Sequence, residues 1–128
     1  VLRPGGRIAF ICWQSIAANL WVKLPLDIVS HHVANVPEIN TDSPGAFSFG
    51  DKNKVLQILQ AAGYVDIVIE PFETKFNVGN TIDEAVSFLS HLGPASSVFE
   101  DPDIDVKSKN CMVEDLRDRL TNYTQLME

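Results

Sequence analysis

The chain is predicted to fold as an α/β domain, with buried strands alternating with covering helices. Three observations point there. The run Arg7-Ile8-Ala9-Phe10-Ile11-Cys12-Trp13 is apolar on both faces, as expected of a strand buried between helix layers. Residues 51–63 carry the clearest helical period in the sequence. Tyr64 to Glu70 follows at once, with Val65, Ile67 and Ile69 alternating against Asp66, Val68 and Glu70. A helix feeding directly into a strand is the repeating unit of such folds.

Each element has its own signals. Val1-Leu2-Arg3-Pro4-Gly5-Gly6 reads as the tail of a helix and a turn, because Pro and Gly-Gly stop a helix and supply positive φ. After the first strand, Trp21, Leu24, Ile28, Val29 and His32 fall at helical spacings. Pro25 fits the first turn of a helix running to about Asn35. Residues 37–49 are rich in Pro, Asn, Asp, Ser and Gly, and read as a loop. Asp51 is placed to cap the next helix, Val55, Leu56, Ile58, Leu59 and Ala62 form its apolar face, and Gly63 ends it. Phe72, Thr74 and Phe76 extend the alternation past Pro71, and Asn77 to Asn80 makes a turn. Thr81 and Glu84 have capping-box spacing and open a helix with Ile82, Ala85, Val86, Leu89 and Leu92 on one side, ended by Gly93-Pro94. A last helix spans about Val106 to Met127, with Asp115 and Arg119 as an i, i+4 pair. Residues 1–76 thus form the expected core of sheet and helices, and residues 77–128 a helical insertion or cap.

Composition narrows the functional classes. The chain has 128 residues, 45% hydrophobic and 21% charged, which suits one soluble globular domain. No apolar run approaches the roughly 20 residues of a membrane span, and nothing at the start reads as a signal peptide, so a cytoplasmic setting is expected. The net charge of −7 argues against nucleic acid, whose phosphates call for Lys and Arg. Glu100, Asp101, Asp103 and Asp105 form an acidic cluster read as a solvated loop; the Gly and final Glu of an EF-hand loop are missing. Cys12 and Cys111 lack partners for a zinc or disulfide framework and are expected to pack as small hydrophobes. No metal site is expected. His31, His32 and His91 are read as structural or surface residues, and no general base stands out.

Leu2-Arg3-Pro4-Gly5-Gly6-Arg7 followed by an apolar strand resembles the late motif of class I S-adenosylmethionine-dependent methyltransferases. Cys12-Trp13-Gln14 and Asn19-Leu20-Trp21 resemble the post-strand region of the branch related to ubiquinone and menaquinone biosynthesis, where the second motif is commonly Asn-Pro-Trp. Phe47-Ser48-Phe49-Gly50-Asp51 leads into a helix ending Ala61-Ala62-Gly63-Tyr64, similar to the Ala-Gly-Phe ending that feeds the family's sixth strand. The resemblance covers about residues 1–100. It implies a partial Rossmann-like methyltransferase fold: the C-terminal strands and helices of a seven-stranded sheet, with added helices.

The same resemblance exposes departures. The family's glycine-rich cofactor loop and the acidic residue that holds the ribose have no counterpart here. Gly5-Gly6 precedes a strand and does not link a strand to a helix N-terminus, so no residue is assigned to cofactor binding. The expectation is therefore a C-terminal, acceptor-side fragment, inactive alone, whose parent binds S-adenosylmethionine. In this architecture ligands sit beyond the carboxyl ends of strands. Trp13, Gln14, Asn19 and Trp21 are accordingly the candidate contacts to a small-molecule methyl acceptor, with Phe47 and Phe49 as a wall or lid. Two other readings stay open: a non-catalytic interaction module, and a small-molecule binder built on the same scaffold. The unpaired strand also leads to an expectation of self-association.

Overall fold

The computed structural model describes residues 2–36 and 38–126, and among them every regular element is a helix. A 3-10 turn at Ile16–Ala18 precedes α1 (Leu20–His32), α2 (Lys52–Ala61), α3 (Ile82–His91), α4 (Ser96–Glu100) and α5 (Val106–Leu126). No strand forms among the described residues, so the expected α/β, Rossmann-like sheet is not the architecture of this chain. The reason lies in how strands are held. A helix satisfies its own backbone, whereas a strand needs a second segment in register. Neither expected strand finds one. Gly5 does adopt positive φ, at 78°, and makes the expected turn, but the run behind it stays exposed: Ile8 at 50%, Phe10 at 46% and Ile11 at 83%. In the second expected strand Asp66 has φ 54°, which interrupts the alternation.

The chain divides into two compact units interleaved in sequence. The first comprises residues 1–15 and 40–71, and the second residues 16–39 and 72–128.

In the first unit α2 starts as its cap dictates: the Asp51 carboxylate accepts from the Asn53 amide at 2.8 Å. It ends at Gly63, φ 85°, with the Tyr64 amide donating back to the Leu59 carbonyl at 3.0 Å. Val55 is the one buried residue of this helix. Lys54 donates to the Thr41 carbonyl at 3.0 Å and the Asp42 carboxylate at 3.1 Å, fixing the preceding turns. A Cβ at Gly50 would stand 3.2 Å from the Ser15 backbone and 3.1 Å from the Phe47 carbonyl, so the close passage of these segments depends on glycine.

The second unit holds a core shared by four helices. Leu24, Ile28 and Val29 of α1, Val86 and Leu89 of α3, Val98 of α4, and Met112 and Leu116 of α5 pack together with Ala95. Their i, i+3 and i, i+4 spacings put each set on one face. α1 begins at Leu20, earlier than expected, and takes Pro25 into its interior, where a proline costs a helical hydrogen bond; burial of Pro25 with Leu24, Ile28 and Val29 offsets that loss. The capping box before α3 forms with a variation: Thr81 accepts from the Glu84 amide at 3.2 Å, while the Glu84 carboxylate accepts from Asn80 at 2.8 Å. The acidic cluster is partly structural. Glu100 closes α4, and Asp105 opens α5 by accepting from the Ser108 amide at 2.9 Å and hydroxyl at 2.7 Å. These two bonds hold the Asp105 carboxyl below its ordinary range. The expected end of the last helix, Met127, lies outside the described residues.

Candidate functional site

The six candidate contacts divide between the two units. Trp13, Gln14, Phe47 and Phe49 belong to the first, and Asn19 and Trp21 to the second.

The first unit gathers its aromatic residues. The Trp13 and Phe47 rings lie 6.3 Å apart and tilted by 37°, and Phe10 and Phe49 lie 6.2 Å apart at 51°. Both pairs are tilted, with centroid separations inside the range at which aromatic rings attract. Phe47 is buried, while Trp13 and Phe49 are part-exposed. The Cys12 thiol reaches the Phe49 carbonyl at 3.6 Å, tying the 8–13 run to the turn before α2. Both cysteines are exposed and not packed as small hydrophobes. Phe10 is a member of this group that the sequence did not single out; its place in an apolar run concealed it.

In the second unit Asn19 sits at the N-cap of α1, where its backbone carbonyl accepts from the Val22 and Lys23 amides while its side chain makes no capping bond. Trp21 packs against Phe76 at 5.3 Å and Phe88 at 6.5 Å, and the latter two rings stand 5.9 Å apart. Such separations leave the three rings in mutual contact, with no space for a guest between them. Gly93 comes within reach of the indole: a Cβ there would lie 3.5 Å from it. Trp21 is thus a packing residue of the second unit in this fold.

Several titratable groups make contacts between or within helices. His32 approaches the Asp115 carboxylate at 3.4 Å, and Arg119 donates to the same carboxylate at 3.3 Å, joining α1 to α5. His91 contacts the Ser87 carbonyl at 2.8 Å within its own helix. Among the described residues no three His, Cys, Asp or Glu side chains cluster as a metal site. A shallow cleft of about 240 Å³ is lined by Leu24, Arg119, Asn122 and Tyr123, none of them a candidate contact.

The residues present do not fit an S-adenosylmethionine cradle. The Gly6 amide is spent on the Arg3 carbonyl at 2.9 Å, a Cβ at Gly6 would strike that oxygen, and no helix starts behind the turn to offer amides. Among the described residues no helix is long and apolar enough to cross a membrane. No family model, curated protein or solved structure matches the chain.

Proposed function

We propose that this chain is the C-terminal, acceptor-side part of an S-adenosylmethionine-dependent methyltransferase, inactive alone. One observation carries the reading: the serial order of motifs from Leu2-Arg3-Pro4-Gly5-Gly6 through Cys12-Trp13-Gln14 and Asn19-Leu20-Trp21 to Ala61-Ala62-Gly63-Tyr64. The reading rests on their order along the chain, since Leu2-Arg3-Pro4-Gly5-Gly6 by itself is only suggestive. The cofactor is held by residues of the parent enzyme outside this chain. The chain contributes acceptor binding, orientation and exclusion of water, which are the main protein contributions to such group transfers.

The Trp13–Phe47 pair, with Phe49 part-exposed in the same turn as Phe47, suits a flat or apolar small molecule, and Gln14, next to Trp13 in the sequence, is the candidate polar contact. The net charge of −7 disfavours a nucleic-acid acceptor. Two exposed free cysteines accord with a reducing, cytoplasmic setting.

Calorimetry tests the reading on this chain and on the full gene product that carries it. The chain alone gives no saturable heat with S-adenosylmethionine. The full product binds it, and Trp13→Ala there raises the acceptor KM while leaving cofactor affinity unchanged. Saturable cofactor binding by the chain alone, or a full product without it, overturns the proposal. A second reading, a non-catalytic interaction module, is favoured by the exposed apolar run at Ile8, Phe10 and Ile11. It prevails if the full product neither binds the cofactor nor turns over.

A further inference from the structure

The first unit contains two stretches whose backbone is unspent. Ile8 to Cys12 and Val65 to Glu70 make no backbone hydrogen bond among the described residues. Both are apolar and much of each is open to solvent, with Ile8 at 50%, Val65 at 81% and Val68 at 77%. Exposed apolar side chains on an unpaired backbone are the features of a sheet edge, which binds by adding a strand.

The sequence of the two stretches selects the occupant. Set antiparallel with Arg7 opposite Glu70, they place Ile8 against Ile69, Ala9 against Val68 and Phe10 against Ile67. Because side chains alternate across a strand, Ile8, Phe10, Ile67 and Ile69 then share one apolar face, and the Arg7–Glu70 pair falls on the other. Arg7 and Glu70 are exposed and have no ion-pair partner among the described residues. Within one copy the stretches form no ladder. The first unit is also electrically neutral: Arg3, Arg7, Lys52 and Lys54 balance Asp42, Asp51, Asp66 and Glu70, so two copies of it do not repel.

We propose that two copies of this chain associate by reciprocal strand pairing, residues 7–10 of each lying antiparallel to residues 67–70 of the other. The arrangement is isologous, as a two-fold dimer requires, because each copy supplies both members of the matched pair. The ladder stops before Asp66, whose positive φ is incompatible with continuing it. The proposal stands on exposure, backbone pairing and charge, independently of the methyl-transfer reading. A monomer leaves that reading intact, and absent cofactor chemistry leaves this one intact.

Analytical ultracentrifugation over a wide concentration range, with far-ultraviolet circular dichroism on the same samples, tests it. The expected result is a dimer whose formation adds β signal. Arg7→Glu weakens association about tenfold, since it sets like charges opposite each other at both symmetry-related pairs. Combining it with Glu70→Arg restores association. Ile8→Lys abolishes association while the helical signal persists, because that side chain is already half in solvent in the single copy. A monomer at every concentration, association without β signal, a charge reversal that the second reversal does not rescue, or undiminished association in Ile8→Lys each overturns the proposal.

Discussion

The two units of this chain use apolar residues in opposite ways. In the second, Ile28, Val29, Met112 and Leu116 have no exposure at all, and the whole net charge of −7 resides in its residues, mostly between the helices. In the first, which is neutral, Phe47 and Val55 are the only buried apolar residues among the described residues, while Ile8, Phe10, Ile11, Val65 and Val68 face solvent. The difference follows from the elements available. Four helices that satisfy their own backbones can bring apolar faces together without outside help. One helix and two strand-like runs cannot, because the runs lack the partners that would both bond them and cover them. The second unit encloses its own core, and the first leaves most of its large apolar residues exposed.

This contrast can be broken by mutation. The largest effect belongs to the enclosed core: Leu116→Ala is expected to cost about 2–5 kcal/mol in urea-induced unfolding, the range for emptying a filled core site. A loss below about 1 kcal/mol would mean that the core relaxes far more freely than its packing implies. Next comes the cap of α3. Thr81→Ala removes the acceptor of the Glu84 amide and is expected to cost about 1 kcal/mol by the same measurement. A smaller effect sits at Asp105. Its carboxyl is held below the ordinary value by the bonds from Ser108, so the ionised form favours the folded state. That contribution is fully present above the ordinary carboxylate range, and is lost as the pH falls below about 4, through the lowered value. Circular dichroism melts across that range should show the wild type losing stability more steeply than Asp105→Ala. The smallest change is Ile11→Ser in the first unit. With the side chain 83% exposed, the stability of the dilute chain should move by no more than about 0.5 kcal/mol. A large loss there would show that the first unit has a core of its own through Ile11.

Legibility in the sequence followed the same division. The Asp51 cap, the Gly63 stop, the Thr81 and Glu84 box, the Gly93 ending and the i, i+4 pair of Asp115 and Arg119 all appear where local chemistry put them. The run at residues 7–13 and the alternation at 64–70 were equally plain as patterns, yet neither is a strand. Among the candidate residues, Trp13 lies near Phe47, Phe49 near Phe10, and Trp21 near Phe76 and Phe88. Ring partners many residues apart leave no periodic trace.

What the sequence determined by itself, then, is where helices start, stop and turn their apolar faces, since each helical bond joins residues four apart and each cap lies within one turn. What only the tertiary structure decided is which apolar runs are covered and which stay open. A strand becomes a strand, and an aromatic residue becomes part of a wall, through a segment distant in the chain, and no local pattern contains that segment.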